Sequence, residues 1–231
     1  MLALDWELPP GIAATVTTVT APGNLAAHVN ADPAEVIRHR RELVRQHQLP
    51  SSPRWLRQIH SQRVVDYADA YPTVEADAIY SSAPKSVCAV LTADCLPILF
   101  CSDDGIEIAA VHAGWRGLVN GVVENTLAQF TAPAERIRAF IGPAISNRAF
   151  EVGADVYQCF ADRGLVDTMT FKPFSEQKWL ADLPLLAKYV LHQQSCDAVT
   201  LSHCCTYSES QWFSYRRDAN CGRIASLIWK K

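Results

Sequence analysis

The sequence predicts an α+β domain, and three observations carry that assignment. Strand-like segments in the middle of the chain are joined by tight turns. Helical segments fall among them without the regular alternation of a doubly wound fold, and no repeat or low-complexity linker divides the 231 residues. A single domain over residues 1–231 follows. Hydrophobic residues make up 49% of the chain, and a chain this long buries about 70 to 75% of its unfolded surface, so no disulfide or structural metal is needed to complete a core.

In chain order, Asp32-Pro33 supplies an N-cap and a first-turn proline, predicting a helix to about Gln46 with Val36, Leu43 and Val44 inward. Trp55 to Val65 reads as extended, and Ala76 to Tyr80 as a short strand. Val87 to Leu91 is apolar, Thr92-Ala93-Asp94 interrupts it, and Leu96 to Cys101 resumes it. Ser102-Asp103-Asp104-Gly105 carries the Asp-Gly hairpin signature, with Ile106 to His112 as the returning strand. Ala113 to Gly117 then turns into a helix from about Leu118 to Phe130. Arg138 to Ile141 is strand-like, Phe150 to Ala161 and Leu180 to Gln194 are helical, and Val199 to Leu201 and Ile224 to Trp229 are strands.

Several function classes drop out. Twenty-one Lys+Arg against 24 Asp+Glu give a net charge of -3, and with no basic run or basic helix face standing out, a nucleic-acid partner is not expected. Asp5 and Glu7 stand where a signal peptide needs a basic and then an apolar stretch, and no segment has the length of a membrane span. The eight cysteines lack the dense, even spacing of a secreted scaffold, so free thiols in a reducing cytoplasm are expected.

Two strand-to-turn junctions concentrate reactive groups: Thr92-Ala93-Asp94-Cys95, and His112-Ala113-Gly114-Trp115-Arg116-Gly117. Desolvating such side chains without partners costs kcal/mol each, so packing alone does not account for them. The hairpin between the junctions brings Cys95 and His112 towards one sheet end, and His60 in Arg57-Gln58-Ile59-His60-Ser61 is a third candidate. One Cys and two His with no fourth donor nearby fit a catalytic zinc that keeps a coordination position open. The same residues fit a Cys95 nucleophile with His112 as base, oriented by Asp94 or a backbone group. His203-Cys204-Cys205 with Cys221 reads as structural, because adjacent strand residues point to opposite faces. Phe213-Ser214-Tyr215-Arg216-Arg217-Asp218 offers an arginine pair suited to phosphate or carboxylate, or else to a solvated turn.

These blocks resemble the YfiH/DUF152 family, described variously as laccase-like polyphenol oxidase, peptidoglycan-editing factor and purine nucleoside phosphorylase. The blocks include Trp55 to His60, Ala76-Asp77-Ala78, Cys88 to Pro97, Ala110 to Gly117, Ile141 to Ile145, Phe150 to Gly153 and Phe213 to Asp218 with Gly222-Arg223. The resemblance implies central mixed β-sheets flanked by helices and a zinc held by His60, Cys95 and His112. It also implies phosphorolysis of adenosine, inosine and S-methyl-5'-thioadenosine, with deamination of adenosine. Purine nucleosides and phosphate are then the partners of a monomer or weak oligomer. To these we add our own expectations: Asp94 as proton shuttle in deamination, and Arg116, Arg216 and Arg217 as holders of phosphate. Copper-dependent phenol oxidation is the alternative, weakened because the only methionines, Met1 and Met169, stand outside the matching blocks. The chain departs from the family pattern at Thr17 to Leu25, which lacks an arginine and most of a loop, and at His39-Arg40 in place of Asn-Arg.

Overall fold

The structure is a computed structural model that describes residues 4–29 and 31–231. Strand β1 (Ile12–Val16) is followed by helix α1 (Pro33–Gln46), β2 (Val64–Asp66), β3 (Ala78–Ser81), β4 (Val87–Thr92), β5 (Leu96–Ser102) and β6 (Ile108–Ala113). Helices α2 (Trp115–Val119) and α3 (Val122–Leu127) precede β7 (Ile137–Ile141), β8 (Glu151–Gly153) and α4 (Ala154–Ala161). The chain continues through β9 (Phe171–Ser175), β10 (Lys178–Ala181), α5 (Leu183–Gln193), β11 (Ala198–Leu201) and β12 (Ile224–Lys230).

A mixed six-stranded sheet, ordered β11-β7-β5-β6-β3-β2, forms the centre. One of its faces packs against α2 to α5. There Leu96, Ile98 and Phe100 of β5 meet Leu118, Val122 and Leu186. The alternate residues, Leu99 and Cys101, point to the other face and meet Val90 of β4 and Ile228 of β12, in the three-stranded sheet β1-β12-β4. The outer face of that smaller sheet, with Ala89, Leu91 and Leu227, is covered by Leu43 of α1 together with Leu25 and Trp55. Four layers result: helices, large sheet, small sheet, helix. This is the α+β fold that the sequence predicts, with helices on the outside. A third sheet, β8-β10-β9, is a small antiparallel outlier.

Local signals hold where they are chemically explicit. The Asp32 carboxylate accepts from the Ala34 N–H and α1 spans the predicted residues. Elsewhere the chain differs. The helix expected over 118–130 is two short helices, because Gly121 between them sits at φ +96°. The helices expected from Phe150 and Leu180 are each preceded by a strand, β8 and β10, which pair with each other. Trp55 to Val65 is extended only in part: an isolated bridge links Arg57 to Glu75, another just before the segment links Arg54 to Cys88 of β4, and β2 begins at Val64. One exclusion also needs correcting: α1 does carry a basic face, since helical spacing gathers Arg38, Arg41 and Arg45 around Ile37. Arg38 and Arg45 are paired with Glu35 and Glu42, which offsets much of that charge. No helix among the described residues is long and apolar enough to cross a membrane, and all eight cysteines are free.

Candidate metal centre

The ends of the central strands gather the reactive residues. In the β5–β6 ladder Leu96 faces Ala113 and Pro97 faces His112, so Cys95, one residue before β5, arrives beside the end of β6. His60 comes from the irregular segment before β2. Its Nε2 lies 3.7 Å from Cys95 Sγ, and its ring stands nearly perpendicular to that of His112, with centroids 4.8 Å apart. One ligand atom from each of the three residues lies within 4.8 Å of the others. Among the described residues no other group of His, Cys, Asp or Glu gathers in this way. In particular, Cys204 donates to the Ser202 carbonyl and Cys205 accepts from the Ser146 N–H, and neither belongs to the cluster.

A residue that sequence reasoning passed over organises this cluster. Asp77, fully buried at the entry to β3, places Oδ1 2.7 Å from His112 Nδ1. Its two oxygens also accept from the backbone N–H groups of Ile59, His60 and Ser61 at 3.2, 3.0 and 2.6 Å, and from Ser61 Oγ at 2.7 Å. Those bonds hold His60 at φ +61°, a left-handed conformation uncommon outside glycine. With Nδ1 of His112 engaged, its Nε2 is left for the cluster, the arrangement in which a carboxylate fixes the tautomer of a metal-binding histidine. The available signal was a lone Asp inside the apolar run Ala76 to Tyr80, which needs partners wherever that run is buried.

The electrostatics of the cluster pair a Cys95 thiolate with a protonated His112, which must give up its Nε2 proton before it can bind a metal. Burial alone would raise the Cys95 thiol, but His112 and then His60 outweigh it and bring the pKa down to about 6. Burial alone would lower His112, whereas Cys95 and Asp77 raise it to about 9. Burial likewise opposes ionisation of Asp77, and its bonds from His112 and Ser61 hold the carboxyl below its usual range. Gly114 closes the floor of the cluster: a Cβ there would lie 2.6 Å from His60 Cδ2 and 3.2 Å from Cys95 Sγ. Only a residue without a side chain lets the backbone pass so near.

The cluster opens into a cavity of about 470 Å³. Trp115, Phe150 and Tyr215 supply aromatic surface to it, and Thr92, whose buried Oγ1 has no hydrogen-bond partner, also lines it. Asp94 lines it too, but its carboxylate is committed. Oδ1 accepts from Thr206 Oγ1 at 2.6 Å, and Oδ2 from Ser214 Oγ at 3.0 Å and the Arg216 N–H at 2.6 Å. These bonds tie the loop before β5 to the C-terminal loop through Asp94, the residue expected as proton shuttle, while the carboxylate that meets His112 is that of Asp77. Two of the three expected phosphate arginines move as well. Arg217 spends its guanidinium on the carbonyls of Thr206, Tyr207 and Trp212. Arg116 is exposed and lies over the Trp115 ring at 4.4 Å, outside the cavity lining. Arg216 does line the cavity, joined by Arg223 and His28, which sequence reasoning did not single out because they stand far apart along the chain.

Comparison with known proteins places the chain in a family. A family model described as multi-copper polyphenol oxidoreductase laccase matches residues 14–231. The purine nucleoside phosphorylase YfiH of Shigella flexneri is 44% identical over 99% of this chain and 98% of its own. The Escherichia coli protein of the same name is 42% identical with the same coverage. A Neisseria meningitidis crystal structure assigned to DUF152 superposes with a TM-score of 0.93 at 41% identity, covering 100% of this chain and 98% of that one. With family model, relatives and solved structure each spanning nearly all of it, the chain belongs to the YfiH/DUF152 family.

Proposed function

We propose that the protein is a zinc-dependent purine nucleoside phosphorylase acting on adenosine, inosine and S-methyl-5'-thioadenosine, with adenosine deaminase activity. The observation that carries this reading is the convergence of His60, Cys95 and His112 at the floor of one cavity of nucleoside size, about 470 Å³. The names of the relatives at 44 and 42% identity support the phosphorylase half of it.

The donor set fits zinc: two imidazoles, one thiol drawn towards ionisation, a carboxylate fixing His112, and no fourth donor among the described residues. Bound there, the ion supplies a Lewis acid with a position open to water or substrate. Copper in a blue-copper site calls for a weak axial ligand, and Met169 is 58% exposed on the surface while Met1 lies outside the described residues. The chain's own part is to bind and orient. Trp115, Phe150 and Tyr215 offer flat apolar surface for a purine. Arg216 brings positive charge to the cavity, suited to a phosphate nucleophile at C1′ of the sugar. Asp77 holds both histidines in place throughout.

Metal analysis coupled to adenosine turnover, with and without phosphate, tests the proposal. Free base and sugar 1-phosphate should form only with phosphate, and inosine without it. His112→Ala should lose zinc and both activities together; turnover retained by the zinc-free variant would sink the metal-centred reading. A second reading, with Cys95 as nucleophile, His112 as base and Asp77 as orienter, is favoured by the depressed thiol alone.

A further inference from the structure

The arginines that meet a carboxylate include Arg57, Arg136, Arg138 and Arg163, none of which lines the cavity. The two arginines that do line it are different. Among the described residues, neither Arg216 nor Arg223 forms an ion pair. Arg216 donates to the carbonyls of Ala149 and Glu151 at 3.4 and 3.2 Å. The guanidinium bonds of Arg223 all leave from Nη1, to the carbonyls of Cys221 and Gly222 at 2.7 and 2.9 Å and to Cys221 Sγ. A guanidinium has five N–H donors, so each retains capacity after these bonds. Aromatic faces steady both: Arg216 lies 5.9 Å from the Phe150 centroid and Arg223 5.8 Å from that of Tyr215.

His28 lines the same cavity. Burial, with the nearby charges of Arg223 and Arg40, lowers its pKa, which places the imidazole within reach of their field. The single carboxylate among the described lining residues is Asp94, and its oxygens are already taken by Thr206, Ser214 and the Arg216 backbone. Two guanidiniums that line one cleft with unspent N–H donors and no free acidic partner, beside an imidazole whose neutral form still has one N–H to donate, suit an anion with several acceptor oxygens, which they bind through charge-assisted bonds.

We propose that Arg216, Arg223 and His28 form an anion subsite in the cavity that also contains His60, Cys95 and His112, and that it takes a phosphoryl group by its oxygens. Under the phosphorylase reading, on which the identity of the anion rests, this is the inorganic phosphate that attacks the nucleoside. A phosphate ester carried by the nucleoside presents the same oxygens and is the other source.

Calorimetric binding to the metal-loaded protein distinguishes them, with inorganic phosphate and adenosine 5′-monophosphate as separate probes. Arg223→Gln and Arg216→Gln should each weaken inorganic phosphate at least about tenfold, equivalent to about 1.4 kcal/mol, and Arg223→Lys should recover part of the loss. His28→Gln, the variant least able to disturb the fold because the side chain sits at the cavity wall outside the core, should weaken it in the same direction. Arg54→Gln, which removes a guanidinium stacked near Tyr67 and Tyr71 and absent from the cavity lining, serves as charge control. A loss confined to the monophosphate assigns the subsite to an ester and overturns the free-phosphate assignment. Unchanged binding of both probes in all three variants overturns the subsite. Because binding is read without turnover, failure of the wild type to release base from adenosine refutes the phosphorylase reading and leaves this test standing.

Discussion

Asp77 Oδ1 sits 2.7 Å from His112 Nδ1 while the same carboxylate holds the backbone on either side of His60, so one buried acid sets the position of two members of the cluster. Asp77→Asn keeps the shape and removes the charge. Metal affinity should fall about 10- to 100-fold, the usual cost of losing an outer-shell partner. Competition against a graded chelator measures it; an affinity within twofold of wild type would show that the carboxylate does not tune the cluster.

The thiol of Cys95 provides a pH test. Its pKa in the folded protein is lowered to about 6 from an ordinary value of 9.0, so the reactive thiolate is present above about pH 6 and lost as pH falls through that value. Metal-stripped protein treated with iodoacetamide should label at Cys95 with a midpoint near pH 6, and His112→Gln should move the midpoint up towards 9.0. A wild-type midpoint already at the ordinary value would contradict the coupling between the two side chains.

Space rather than charge governs Gly114. In Gly114→Ala the new methyl group meets the His60 ring at 2.6 Å, and the ring has to turn away from Cys95. The fold should lose about 1 to 3 kcal/mol, as overpacked sites do. Metal affinity should drop by at least about tenfold. Unfolding curves recorded with and without metal separate the two effects, and equal stabilisation of variant and wild type by metal would refute the steric account.

Asp94 offers a choice between staple and acid–base group. It occupies φ +91° and receives three hydrogen bonds from residues 206, 214 and 216. Asp94→Ala strands those donors and should cost about 1 to 3 kcal/mol of stability. In Asp94→Asn, which keeps one oxygen acceptor, KM should rise more than kcat falls and the pH profile of kcat should keep its shape. Loss of one limb of that profile would restore the proton-shuttle role.

How far the sequence reveals this molecule depends on how local the deciding physics is. The cap at Asp32, the turn before Gly105 and the apolar run of β5 are settled within a few residues, and each is found where it is predicted. The convergence of Cys95 with His112 was legible because one hairpin joins them. His60 joins the group only in three dimensions, and its selection rested on the block that contains it. Asp77 went unread because its purpose lies in bonds to residues 59 to 61 and 112. Strand β1 gives too short a signal to stand alone and is recruited by β12, more than two hundred positions along the chain. Arg217 looked like an anion ligand by composition, yet three carbonyls within the C-terminal loops claim it.

The place of β12 in its sheet has a consequence for biosynthesis. Among the described strands β1 and β4 do not pair with each other; the strand that each pairs with is β12, which follows both far along the chain. Until residues 224–230 have been made and docked, β1 and β4 lack the strand that joins them, and their edges and the apolar face of β4 are open to wrong partners. Because Ile224 pairs with Thr92, two positions before Asp94, the step that completes that sheet also brings the wall of the cavity into register.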